Sequence, residues 1–258
     1  MHVRVFELVT FALLCLLIYL GIARAKKTKP YVRPFPALEH IDEAVGRAAE
    51  MGKSVHYCTG WGGLNDEWAP VTTAALAIMG EFAKACGKYG VPMRYSCIRS
   101  HIVPIAEDII KFGYDTGGHP EMYTPDMVYY TSEEQRALMS AMMGYIMRER
   151  PAVNCIFGAT KYETIHSVGT GAIAGSMQFA GTPRLYYLPI ILCTCDYALI
   201  GEEVYAAGAV VTGEPHQLGS VRGVDFFKMI IIALIAISVI LSSAGTDWFQ
   251  RLIEFVAG

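Results

Sequence analysis

Apolar positions along this chain fall into three regimes. Residues 5–23 are almost wholly apolar, a length that lets a helix cross a bilayer. A second such run covers 229–244, extended backward by Phe226 and Phe227. Between them, short apolar runs alternate with stretches whose apolar residues recur every three or four positions. That alternation predicts strands and amphipathic helices in turn.

The middle reads in order as follows. Leu38, Ile41, Val45 and Ala48 make a helical stripe that Gly52 ends, behind a stiff spacer with three prolines at 30–36. A strand at 54–58 leads through the turn 59–63 to a helix starting near Pro70, with Ala74, Ile78, Phe82 and Ala85 inward and a stop at Gly87. A strand at 92–97 precedes a helix that stops at Gly113, and a polar loop spans 114–121. A third strand, 127–131, precedes a helix opened by a capping box, Ser132 to Gln135. A fourth, 152–157, precedes a second capping box, Thr160 to Glu163, and a helix rich in small residues from Gly169 to Gly175. The last strand is expected at 187–194 and the last helix at 201–212. Strand–helix alternation argues for an α/β fold: a Rossmann-like, doubly wound, mainly parallel sheet of about five strands, flanked by two transmembrane helices. The segments follow: first span 1–25, basic and proline-bearing spacer 26–36, α/β domain 37–213, linker 214–223, second span 224–244 and an amphipathic helix 245–258 carrying Trp248, Phe249, Leu252, Ile253 and Val256 on one face.

Composition agrees with the membrane reading. Of 258 residues, 53% are hydrophobic and only 17% charged, and the mean hydropathy is +0.34. Arg24, Lys26, Lys27, Lys29 and Arg33 follow the first run, against Arg4 alone before it. The positive-inside rule then places the domain in the cytoplasm and both termini outside. Ala23-Arg24-Ala25 has the form of a signal-peptide cleavage site, but the apolar run is long for one and the basic cluster resists translocation. A net charge of -3 provides no basic field for nucleic acid. The expected partners are the lipid bilayer and a second copy of the chain or another membrane protein. Seven cysteines include no CxxC pair. They read as small buried hydrophobes in a reducing compartment, Cys193-Thr194-Cys195 included.

In a doubly wound sheet, ligands bind beyond the carboxyl ends of the strands, where the strand order reverses. The commonest order sets the turn after the first strand against the turn after the fourth. Thr59, Gly60, Gly62, Gly63 and Asn65 would then face Gly158 and Thr160, with Asp196 at the end of the last strand. Backbone N–H groups of such turns can approach an anion. Against this, Gly60-Trp61-Gly62-Gly63 is not G-x-G-x-x-G, and Asp66 and Glu67 would repel a phosphate. Arg99, not an acid, follows the second strand. Glu163 and His166 could share a helical face, but Glu163 already has a capping role. Glu202 and Glu203 suit a helix start without chemistry. No metal site, cofactor or catalytic set emerges.

Three stretches, 41–56, 172–182 and 196–207, resemble a family of uncharacterised membrane proteins from archaea and bacteria. The resemblance runs from about Pro36 to the second span and implies a membrane-anchored α/β domain of unknown function. Cys58-Thr59-Gly60 departs from the family's pattern. Two functions remain open at this point. One is a scaffold or interaction module that associates with itself. The other is an enzyme or sensor binding a nucleotide or phospho-ligand across the turns at Gly60 and Gly158.

Overall fold

The computed structural model describes residues 5–28 and 30–243, so the expected helix at 245–258 lies outside the described residues. Two compact units result. One is built from the segments before residue 33 and after residue 212, the other from Arg33–Thr212.

In the first unit, α1 (Val5–Ala25) packs on α10 (Pro215–Ser243). Both are long and apolar enough to cross a membrane, over Glu7–Ala25 and Pro215–Ile240. Residues 215–223, expected as a linker, are the first turns of α10. The reason is packing. A Cβ on Gly219 would lie 2.5 Å from Ile22 Cα, and one on Gly223 would lie 2.6 Å from Ile18 Cα. Small residues four apart let two backbones approach this closely, the usual device for pairing helices in lipid.

The second unit begins with α2 (Pro36–Glu39) and α3 (Ile41–Glu50). Six strands follow: β1 (Val55–Gly60), β2 (Met93–Cys97), β3 (Val128–Tyr130), β4 (Val153–Ala159), β5 (Met177–Thr182) and β6 (Tyr197–Ile200). All pairs are parallel, in the order β3-β2-β1-β4-β5-β6. The helices α4 (Ala69–Tyr89), α5 (Val103–Gly117), α6 (Gln135–Glu149), α7 (Tyr162–Ala174), α8 (Leu188–Thr194) and α9 (Glu203–Thr212) fill the connections. This is the Rossmann-like doubly wound arrangement, with its reversal between β1 and β4. Those two central strands are buried throughout, as strands covered on both faces must be.

Side chains alternate between the faces. Tyr57, Phe157 and Phe179 meet Phe82 of α4 on one face. Cys58, Ile156 and Ala180 meet Leu138, Met142, Ile146, Val168 and Ile191 on the other. Gly87 and Gly113, expected as helix stops, are contact points instead. A Cβ on Gly113 would lie 2.5 Å from Ala83 Cβ, so α4 and α5 run past both glycines.

Strand count and placement correct the sequence expectation at the end of the domain. Residues 187–194 form α8 after a short 3-10 turn, not a strand. Their apolar run fits a buried strand or a buried helix equally by period, and Pro189 suits a helix's first turn. The strands lie on either side: β5, whose Met-Gln-Phe-Ala-Gly-Thr has no β-branched run to mark it, and β6. The capping boxes form only in part. Ser132 Oγ accepts the Glu134 N–H at 3.2 Å, but Gln135 turns to Glu163. Glu163 Oε1 accepts the Lys161 N–H at 2.9 Å, but the Thr160 hydroxyl caps nothing.

A buried polar row crosses the second face. His56 Nδ1 lies 2.8 Å from Asn154 Oδ1 and its Nε2 lies 2.9 Å from Ser96 Oγ. Asn154 Nδ2 donates to Ser167 and to Gln178 Oε1, and Gln178 Nε2 donates to the Thr194 carbonyl at 3.0 Å. Gly171 is small to admit this row. A Cβ there would lie 2.5 Å from Gln178 Oε1. Burial lowers the His56 pKa to about 4. The unfolded chain therefore holds more protons below pH 6.5, and stability falls as pH drops from 6.5 towards 4, by about 3 kcal/mol at the limit. Melting of wild type and His56→Gln between pH 7 and pH 4.5 checks this. The wild type should lose the more stability on acidification, and equal slopes would contradict it.

Candidate functional site

The rim beyond the carboxyl ends of β1, β4 and β5, where a doubly wound sheet takes its ligands, is bordered by three turns. The first follows β1, where Gly60 takes φ +72°, and a bulge shifts the β1–β4 register between Cys58 and Gly60. The second follows Gly158, at φ +124°, whose Cβ would lie 2.5 Å from the Thr59 carbonyl. Only glycine fits both conditions. The third turn leaves β5 through Thr182 and Pro183 to Arg184.

The structure brings most of the sequence candidates together and gives each a local role. The Thr59 hydroxyl is 2.6 Å from that of Tyr95. Gly62 is packed shut, since a Cβ there would lie 2.7 Å from Thr72 Oγ1 and 2.8 Å from Ala159 Cβ. The Gly63 N–H donates to Asp66 Oδ2 at 2.9 Å, and the Trp68 N–H donates to Asp66 Oδ1 at 2.9 Å. Asn65 is exposed. Asp196 is set apart. It precedes β6, at the opposite rim, where its Oδ2 accepts the Gln178 N–H at 2.7 Å. Cys58 lies beneath the turn, where burial pushes its thiol far above the usual range and makes it inert. Glu163 is fully buried, accepting from the Lys161 N–H and Gln135 Nε2, while His166 Nδ1 bonds the Tyr162 carbonyl. Cys193 and Cys195 sit at the end of α8, and burial raises the Cys195 thiol to about 11.

Sequence reasoning singled out Arg99, which could meet a phosphate, but missed Lys161, Arg184 and the tryptophans beneath them. Lys161 Nζ stands 3.3 Å over the Trp61 ring, and the Arg184 guanidinium stands 4.2 Å over the Trp68 ring. Arg99 stacks on Trp61 at 4.5 Å, donates to the Trp61 carbonyl and lies 3.7 Å from Asp66. Tyr187 borders Arg184, and burial raises its phenol pKa, with Tyr162 and Glu163 adding to the effect. A polar turn after each strand was the available signal, and an unrecognised β5 hid Arg184.

Polar satisfaction sets the rim apart. Among the described residues, the buried side-chain atoms without a hydrogen-bond partner are the hydroxyls of Thr72, Thr131, Thr160 and Thr164 and the Nε atoms of Arg94 and Arg184. All but Arg94 Nε belong to residues at the carboxyl rim of the sheet. Thr72 and Thr164 lie in the first turns of α4 and α7, and Thr160 follows β4. Two surface grooves lie elsewhere. One, of about 610 Å³, includes Leu38, Ile41, Lys88 and Val210, and the other, of about 360 Å³, includes Ile109 and Phe112. Neither reaches the strand ends.

The class is therefore a Rossmann-like α/β domain whose switch point is bordered by cations stacked on tryptophans and by buried hydroxyls without a partner among the described residues, in a chain with two helices long and apolar enough to cross a membrane. The chain belongs to the family described as "Domain of unknown function (DUF6754)", whose profile matches residues 1–253. Comparison with curated proteins and with solved structures finds no match.

An unsatisfied buried hydroxyl costs about 1–3 kcal/mol. Thr160→Val and Thr164→Val should therefore melt at or above the wild-type temperature without ligand. Gly62→Val, which drives a branched side chain into Thr72 and Ala159, should lose about 2 kcal/mol or more. Thermal melts of the purified variants check both, and a large loss in the two Thr→Val variants would mean that those hydroxyls are satisfied in the folded protein.

Proposed function

We propose that this protein is held at the bilayer by its two apolar helices and binds a small anionic ligand, a nucleotide or other phospho-compound, in the crevice between β1 and β4. One observation carries the reading. Thr72, Thr160 and Thr164 are each fully buried with an unpartnered hydroxyl, and they cluster at the sheet's reversal. Buried polar groups in folded proteins are otherwise paired, and open α/β sheets bind ligands at this place. Lys161 and Arg184 give the rim its positive charge. The basic cluster after α1 supports a cytoplasmic domain with both termini outside. Protease added outside intact cells should then leave residues 33–212 uncut, and digestion there would refute that orientation.

Self-association as a scaffold is the second reading. It is favoured by the solvent face of α7, where Tyr162, Ile165 and Ile173 are exposed beside Leu192 of α8. Gly169 on that helix meets nothing within 4 Å. Detergent-solubilised protein that remains monomeric at every concentration would remove it.

Thermal-shift screening of the full chain with nucleotides and sugar phosphates tests the first reading. A ligand present at 100 times its Kd should add about 2.7 kcal/mol to stability. No shift with any anionic compound at millimolar concentration would contradict it.

A further inference from the structure

We propose that the crevice seats a phosphate group on Lys161 and Arg184, at the ends of β4 and β5, and not on the glycine turn after β1. This rests on the ligand-binding reading above and adds the chemistry and place of the anion.

The glycine turn is already engaged. The Gly60 N–H points to Cys58 Sγ at 3.3 Å and the Trp61 N–H donates to the Ala159 carbonyl at 3.1 Å. The Leu64 N–H donates to His101 Nε2 at 3.1 Å. The Gly63 and Trp68 N–H groups donate to the Asp66 carboxylate, which already stands where a phosphate on this turn would stand. Arg99 completes that arrangement, held by the Trp61 carbonyl at 3.2 Å, Asp66 at 3.7 Å and Glu133 at 4.0 Å. A phosphate placed there would displace one carboxylate and approach another.

The β4–β5 side differs. Among the described residues, Lys161 and Arg184 have no carboxylate within 4 Å, and Arg184 Nε is buried without a partner. Their positions are fixed by aromatic rings, Lys161 by Trp61 and Arg184 by Trp68. Glu163, fully buried two residues on from Lys161, accepts from Gln135 and from the Lys161 N–H. The hydroxyls of Thr160 and Thr164, fully buried beside this turn, have no partner among the described residues. One ammonium and one guanidinium fork suit a group with three oxygens and nearly two charges better than they suit a carboxylate. A soluble phosphate ester and a phospholipid headgroup share this chemistry. Tyr162 and Tyr186, both largely exposed, flank the two cations and can cover the remainder of either.

The test is a binding titration of the full chain in neutral detergent, read by tryptophan fluorescence, since the cations rest on Trp61 and Trp68. The probes are inorganic pyrophosphate and adenosine diphosphate for the soluble source and dihexanoyl phosphatidic acid for the lipid source, with adenosine as the phosphate-free control. At least one phosphate probe should bind the wild type. Lys161→Met and Arg184→Met should each weaken it by about tenfold or more, while Lys161→Arg and Arg99→Met stay within about threefold. Melting temperatures within a few degrees of wild type establish that the variants fold. Met variants that bind as the wild type does, or an Arg99→Met variant that loses binding, would overturn the seat. Adenosine diphosphate that binds the wild type no more tightly than adenosine would overturn the phosphate seat and leave nucleotide binding at the rim standing. No binding by any probe would overturn both.

Discussion

A parallel strand cannot be joined to its neighbour by a tight turn. The chain must climb back over one face, and right-handed crossovers fix which face it takes. In this protein all six strands run the same way, so every connection carries helices and both faces are covered. Winding outward from β1 to β3 puts α4 and α5 on one side. Winding the other way from β4 puts α7 and α8 on the opposite side. The two directions part between β1 and β4, the place where open α/β sheets take their ligands, before any side chain is considered.

Two treatments of buried polar groups then distinguish the body of the sheet from its rim. In the body, His56, Ser96, Asn154, Gln178 and Ser167 satisfy one another across four strands, and Gly171 is small enough to let them. The low dielectric of the interior makes such a row worth keeping only when it is complete. At the rim, among the described residues, hydroxyls equally buried have no partner, and two cations rest on tryptophans with no carboxylate within 4 Å. One fold holds both, so the rim's condition is not a general looseness of its packing. The turn after β1, by contrast, has its Gly63 and Trp68 N–H groups on Asp66, its Trp61 N–H on the Ala159 carbonyl and its Leu64 N–H on His101. That division is the ground on which the proposed phosphate seat is put at β4 and β5.

Much of this fold was legible in the residues. The apolar runs at the two ends, the strands around Tyr57, Tyr95 and Cys155, and the glycine turn all followed from period and punctuation. The parallel, doubly wound class followed from their alternation. What failed did so for physical reasons. Leu188 to Thr194 is apolar on every side, so period could not separate helix from strand, and β5 lacks the β-branched residues that mark one. Losing β5 also moved Asp196 to the wrong end of a strand and hid Arg184. Gly87 and Gly113 looked like helix stops, yet each sits inside a helix where another backbone comes close. The candidate site was legible as a place, through Gly60, Gly158 and Thr160. Its chemistry was not, because whether a hydroxyl has a partner depends on neighbours distant in sequence.

Hydrogen exchange of the full chain, with and without adenosine diphosphate, tests the crevice most directly. The account predicts slowed exchange confined to peptides covering 59–68, 158–164 and 182–187, the three turns that converge at the rim. Protection that falls instead on the grooves beside α3 and α5, or no change in any rim peptide at saturating ligand, would contradict it.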